Sequence, residues 1–219
     1  MNKKIINNLD EILSKIDDII ENAPVVSFIA VQSNNPFKVL ISTILSSRTK
    51  DATTLSAVEK LFSEIKTPSD LMKLDRKKIQ DLIYPVGFYK NKSKFLKETS
   101  EILVKNYDSK VPETMDQLLE LPGVGRKTAN LVLTEAFNKE GMCVDTHVHR
   151  ISNRFGLINT DSPKESEFKL REILPKKYWG IYNYHLVGLG QTICRPISPK
   201  CDECPIYEYC DRINVDDSN

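Results

Sequence analysis

Ile5, Ile6, Leu9, Ile12, Leu13, Ile16, Ile19 and Ile20 recur at three- and four-residue steps. They predict one amphipathic helix over residues 5–20, ended by Pro24. A second helix is predicted from Asn35-Pro36, a capping residue followed by a first-turn proline, with Phe37, Leu40, Ile41, Ile44 and Leu45 turned inward. It stops at the polar corner SSRTKD, where Asp51 is expected to cap the next helix, whose buried face holds Leu55, Val58, Leu61 and Phe62. Short helices follow near 69–74 and 76–83, a turn at Gly87, and a longer helix near 91–106. Thr114 and Gln117 form a capping-box pattern, as do Ser162 and Glu165 around Pro163. A last helix spans 178–190. No run alternates as strands do, and the acidic tail after Arg212 is expected to fray. The predicted fold is all-α.

Composition narrows the class. The 219 residues are 40% apolar and 28% charged, as in soluble globular chains, and no apolar run approaches a membrane span. The N-terminus has lysines but no apolar signal core, which predicts an intracellular protein with no membrane attachment. Structural disulfides are then unexpected, so the five cysteines pose a metal or redox question. With 31 basic and 30 acidic side chains, nucleic-acid binding would rest on local patches.

Two segments carry chemistry. In LPGVGRKTANLVL (121–133), Pro122, Gly123 and Gly125 forbid regular helix, while Ala129, Val132, Leu133 and Ala136 resume helical spacing. This predicts a glycine hairpin feeding a helix N-terminus, whose free N–H groups and dipole suit a phosphate. With Leu118, Leu121 and Val124 it has the pattern of a helix-hairpin-helix, a sequence-independent clamp on a DNA backbone. A plain helix–helix corner is the alternative. The second segment is Cys194, Cys201, Cys204 and Cys210, spaced C-x6-C-x2-C-x5-C. So short a loop cannot bury four thiols as core, yet it can converge them on one centre whose binding energy supports its folding. Zinc and a four-iron cluster both accept four cysteines. Cys143, in an apolar run, reads as a small buried side chain.

LPGVGRKTAN, VDTHVHRISNR with Asp145 eighteen residues beyond Lys127, and the cysteine quartet occur in an order that resembles the endonuclease III family. These are helix-hairpin-helix DNA glycosylases ending in a Gly/Pro-rich loop and an aspartate. ILSSRTKD (44–51) and GFYKNKS (87–93) look like the family's two DNA-facing corners, so the likeness runs from about residue 36 to 210. The resemblance implies a helical barrel domain over 23–135, with the helix-hairpin-helix near 113–134. A second domain, 1–22 plus 136–219, would bear the cluster loop, with double-stranded DNA across the cleft between them.

It also implies a bifunctional DNA glycosylase and AP lyase of base excision repair, acting as a monomer on DNA with a damaged base or abasic site. Oxidised pyrimidines are the family expectation. Lys127 matches the lysine whose amine attacks the sugar C1′, and a helix N-terminus and Arg126 beside it disfavour the ammonium form. Asp145 matches the family aspartate, and it could equally cap the following helix. Cys194, Cys201, Cys204 and Cys210 match ligands of a [4Fe-4S] cluster, and Gly123, Gly125 and Arg126 match the phosphate clamp. Arg195 and Lys200, between the first two cysteines, are candidate phosphate contacts, although residues 194–212 hold three cations against Asp202, Glu203, Glu208 and Asp211.

Two corner residues depart from the family's bacterial members. Arg48 stands where those members carry glutamine, and Phe88 where they carry a leucine wedge. Phenylalanine can still wedge and stack. Arginine has no acceptor, so it suits guanine edges or stacking. Either residue could instead be structural: Arg48 a solvated cation, Phe88 core. Lys90, Lys92 and Lys94 are further candidate DNA contacts, although most of them read as a solvated face, and His147, His149 and His185 read as local hydrogen-bonding or packing residues. Other readings are a non-catalytic DNA-binding module with a structural metal knot, and a monofunctional mismatch glycosylase.

Overall fold

The computed structural model describes residues 2–20 and 25–215, and all regular structure among them is helical. The chain divides into two compact units, residues 25–139 and residues 1–24 with 140–219.

The N-terminal stripe forms two helices rather than one. Asn2 caps α1 (Lys3–Asn7), and α2 (Leu9–Asp17) begins after Asn8. Asn8 leaves helical geometry at φ −119°, ψ 23°, and its side-chain amide donates to the Lys4 carbonyl at 2.8 Å. A short amide side chain that bonds its own backbone competes with the helix ladder. Ile5, Leu9, Ile12, Leu13 and Ile16 are buried all the same. Pro24 lies outside the described residues.

The unit 25–139 opens with α3 (Val25–Ser33), absent from the sequence reading. Its run VVSFIAV shows no helical period because apolar residues stand at nearly every position, and Val25, Val26 and Ile29 are buried. Asn35 caps α4 (Pro36–Ser46) by accepting from the N–H groups of Phe37 and Lys38, and the five inward residues expected of it are buried. In α5 (Asp51–Glu64) the expectation fails at the cap. Lys50 is the extended N-cap residue, and Asp51 inside the first turn accepts instead from the Val25 N–H at 3.3 Å. Thr67 and Asp70 form a full capping box on α6 (Pro68–Lys73), and Asp75 caps α7 (Arg76–Ile83). Then come α8 (Tyr89–Asn106), α9 (Met115–Leu119), capped by Thr114, and α10 (Arg126–Phe137). Leu40, Leu45, Val58, Leu61, Leu96 and Leu118 lie in one shared core, each burial contributing about 1.5–3 kcal/mol.

In the other unit, α2 shares a core with α11 (Thr146–Arg154), α12 (Pro163–Ile173) and α13 (Trp179–Thr192), including Val148, Ile151, Leu170, Tyr182 and Leu186. Ser162 caps α12 as its pattern predicts. Cys143 is buried. The start of the tail is tied down rather than frayed, because the Ile213 N–H donates to the Arg154 carbonyl at 3.0 Å. Residues 216–219 lie outside the described residues.

Candidate active site and cluster loop

Between α9 and α10 the hairpin turns on Gly123 at φ +80°, where a Cβ would also lie 2.8 Å from the Phe95 ring. That position demands glycine twice over. Gly125 differs: its backbone is extended at φ −96°, ψ 178°, and a Cβ built on it would meet nothing within 4 Å. The fold does not need glycine there, and the open space lies at the start of α10. Leu118, Leu121, Val124, Ala129 and Val132 are buried beneath the turn. Arg126 and Lys127 occupy the first turn of α10, with Lys127 exposed.

The two corners of this unit meet. Arg48 (φ 52°) and Phe88 (φ 57°) both hold left-handed backbone, which costs a residue with a Cβ roughly 1–2 kcal/mol. Phe88 is 59% exposed and so is not core, and the Arg48 guanidinium lies 5.6 Å from its ring centroid. The Gly87 N–H donates to Thr49 Oγ1 at 3.1 Å, and a Cβ on Gly87 would meet the Arg48 carbonyl oxygen at 2.5 Å.

Lys92 corrects the reading of 90–94 as a solvated face. It is 5% exposed, and its ammonium donates to the carbonyls of Leu45 (2.8 Å) and Ser47 (2.5 Å) and to Thr49 Oγ1 (3.1 Å). Burial pushes its pKa down to about 8. Nothing in KNKSK separates this lysine from its neighbours, so the sequence carried no signal for it. Lys94, by contrast, is paired with Glu98 at 3.7 Å on the surface.

In the other unit Asp145 caps α11, accepting from the N–H groups of His147 and Val148, each at 2.9 Å through Oδ1. The three histidines act locally, as expected: His149 meets the Ser166 hydroxyl at 2.7 Å and His185 the Ile181 carbonyl at 2.8 Å, and His147 lies 3.2 Å from Arg150.

Cys194, Cys201, Cys204 and Cys210 line one pocket together with Phe155, Leu189 and Ile193. Arg154, nearly buried, donates to Cys194 Sγ at 3.4 Å and to the carbonyls of Arg195 (2.6 Å) and Pro196 (2.9 Å). The Arg212 N–H donates to Cys210 Sγ at 3.4 Å. Donors aimed at sulfur suit thiolate ligands. Burial raises the Cys204 and Cys210 thiols to about 11, so only a bound metal centre would hold them as thiolates at neutral pH. Among the described residues no three such donors close around a point as they would on a single ion. Arg195 is exposed, whereas Lys200 is held by Glu203 at 2.9 Å.

Residues 41–176 match the model of the HhH-GPD superfamily base excision DNA repair protein, and residues 194–210 match the iron-sulfur binding domain of endonuclease III. The chain belongs to the HhH-GPD superfamily. Endonuclease III from Thermotoga maritima is 46% identical over 180 residues, covering 82% of this chain and 84% of its own length. The chloroplastic endonuclease III homolog 2 of Arabidopsis thaliana is 48% identical over 80% of this chain, which spans 47% of that longer protein. The solved structure of a trapped endonuclease III–DNA covalent intermediate superposes with a TM-score of 0.81 at 32% identity, covering 94% of this chain and 95% of that one. The chain is an enzyme of base excision repair, a DNA glycosylase/AP lyase of endonuclease III type that carries an iron–sulfur cluster. Among the described residues no helix is long and apolar enough to cross a membrane.

Proposed function

We propose that Lys127 is the nucleophile of this enzyme and that its substrates are oxidised pyrimidines and abasic sites in double-stranded DNA. The observation that carries the reading is an exposed lysine in the first turn of α10, directly after the open face at Gly125. A duplex backbone held at that face, through Gly123, Gly125 and Arg126, puts a deoxyribose within reach of the amine. The neutral amine attacks C1′ of a flipped nucleotide, the glycosidic bond breaks and the base leaves with its electron pair. The ring then opens to a Schiff base. Loss of a C2′ proton expels the 3′ phosphate by β-elimination, and water releases Lys127. The role given to Asp145 is to stabilise the positive charge that develops on the sugar, with a carboxylate that the His147 and Val148 N–H groups orient within its own unit.

Arg48, Phe88 and Arg195 contact DNA in this reading. Lys200 would first have to leave Glu203. Cys194, Cys201, Cys204 and Cys210 hold the [4Fe-4S] cluster, which supplies folding energy to its loop. The protein acts as a monomer, inside the cell. A covalent intermediate with DNA has been trapped for endonuclease III, the structural relative. Borohydride with a duplex carrying one abasic site should give an adduct with the wild type and none with Lys127→Ala. An adduct formed equally by Lys127→Ala would overturn the assignment.

A further inference from the structure

Three hydrogen bonds from one buried ammonium join the two corners. Lys92 lies one turn into α8, and its N–H donates to the carbonyl of Phe88 at 3.0 Å, so the same residue continues the helix that Phe88 begins. Its ammonium reaches across to Leu45, Ser47 and Thr49, which flank Arg48 on both sides. All three of its donors are used. Thr49 closes the link from the other side, since its hydroxyl oxygen accepts from both Lys92 and the Gly87 N–H.

A merely structural cap on the end of α4 would not need a buried cation. Exposed lysines commonly serve helix C-termini from the surface, and taking an ammonium out of water costs several kcal/mol unless its bonds are well made. Here the cost falls where two non-glycine residues also hold left-handed backbone, a combination that persists only when the surroundings over-determine it. The two segments so joined carry the Arg48 guanidinium and the Phe88 ring, which lie 5.6 Å apart.

We propose that Lys92 is a positioning residue for DNA binding, a strut that fixes Arg48 and Phe88 as one preformed surface. This rests on the reading that both corners touch DNA. Preorganised groups bind better because less freedom is lost on association. Removing the strut should therefore weaken binding through the corners and leave the steps at Lys127 nearly intact.

The test uses the complete, cluster-loaded protein and a duplex holding a tetrahydrofuran abasic analogue, with affinity read by fluorescence anisotropy. Lys92→Met should raise the Kd about tenfold. Its single-turnover cleavage rate on a true abasic site, at saturating DNA, should fall by less than about threefold. The decisive measurement is the cycle with Arg48→Ala/Phe88→Ala, where Lys92→Met should add less than about a twofold loss. An undiminished tenfold loss in that background would show a role not exercised through the corners and overturn the proposal. So would an affinity unchanged by Lys92→Met in the wild-type background. If Arg48→Ala/Phe88→Ala itself left affinity unchanged, the DNA-contact reading would fail first, a distinct result. Should Lys92→Met lose the visible cluster absorbance or its helical circular dichroism, Thr49→Val carries the same test. It removes the oxygen shared by Lys92 and Gly87 and should give a smaller loss that also vanishes in the double-alanine background. A loss from Thr49→Val that persists there would count against the strut.

Discussion

The Arg48 guanidinium carbon lies 5.6 Å from the centroid of the exposed Phe88 ring, and both residues hold positive φ. Side chains stacked this way present a cation and an aromatic edge together. The contact couples the two side chains.

That coupling has a measurable consequence. Arg48→Ala and Phe88→Ala should each weaken binding to an abasic-analogue duplex about tenfold, and the double variant should lose less than the product of the two. Losses that multiply would mean that the residues act independently. Arg48→Gln should also lower any preference for guanine opposite the lesion by about fivefold or more, since a bidentate arginine–guanine contact discriminates by about 1–3 kcal/mol.

Asp145 both caps α11 and carries a charge, and one substitution separates the two roles. Asparagine caps as well as aspartate does. Asp145→Asn should therefore keep its melting temperature within about 2 °C of wild type while its glycosylase rate falls at least about a hundredfold. If the rate fell no further than the stability did, capping alone would account for the residue.

The two hairpin glycines should behave differently. Gly123→Ala forces a Cβ onto the Phe95 ring at a positive φ and should destabilise the protein by about 1–3 kcal/mol in urea melts. Gly125→Ala meets nothing in the folded chain and should fold normally. It should nonetheless weaken DNA binding about tenfold, because a methyl group fills the space through which a phosphate approaches. Unchanged affinity in Gly125→Ala would remove the phosphate reading of the hairpin.

Lys92 makes stability depend on pH in a predictable direction. Burial lowers its pKa in the folded protein to about 8 from the usual 10.5. Between those values the unfolded chain holds a proton that the folded chain has released, so stability rises with pH there, and below about 8 the full cost of the buried charge is present. Relative to Lys92→Met, the wild type should gain up to about 2 kcal/mol of unfolding free energy between pH 8 and 9.5, at 1.36 kcal/mol per unit. The carbonyls of Leu45 and Ser47 favour the charged form and make this an upper figure. A flat difference across that range would show that Lys92 does not titrate in it. A falling one would show a raised pKa.

Local chemistry is legible in a sequence because it depends on near neighbours. Asn35 before Pro36, Thr114 before Gln117 and Ser162 before Pro163 mark helix starts by the bonds that their own side chains make, and the structure has all three caps. The order of the glycine hairpin, Asp145 and the cysteine quartet likewise carried the family, because each is a short motif. Where a second segment decides the outcome, the sequence is silent. VVSFIAV is apolar at nearly every position, so it shows no period that would mark it as a helix. Lys92 reads like Lys90 and Lys94 until residues 45–49 come within reach of its ammonium, nearly fifty positions away in the chain. Short motifs and the resemblance that they carry nominated the residues proposed for the chemistry. Only the packing of α4 against α8 decided which lysine is buried and why Arg48 lies over Phe88.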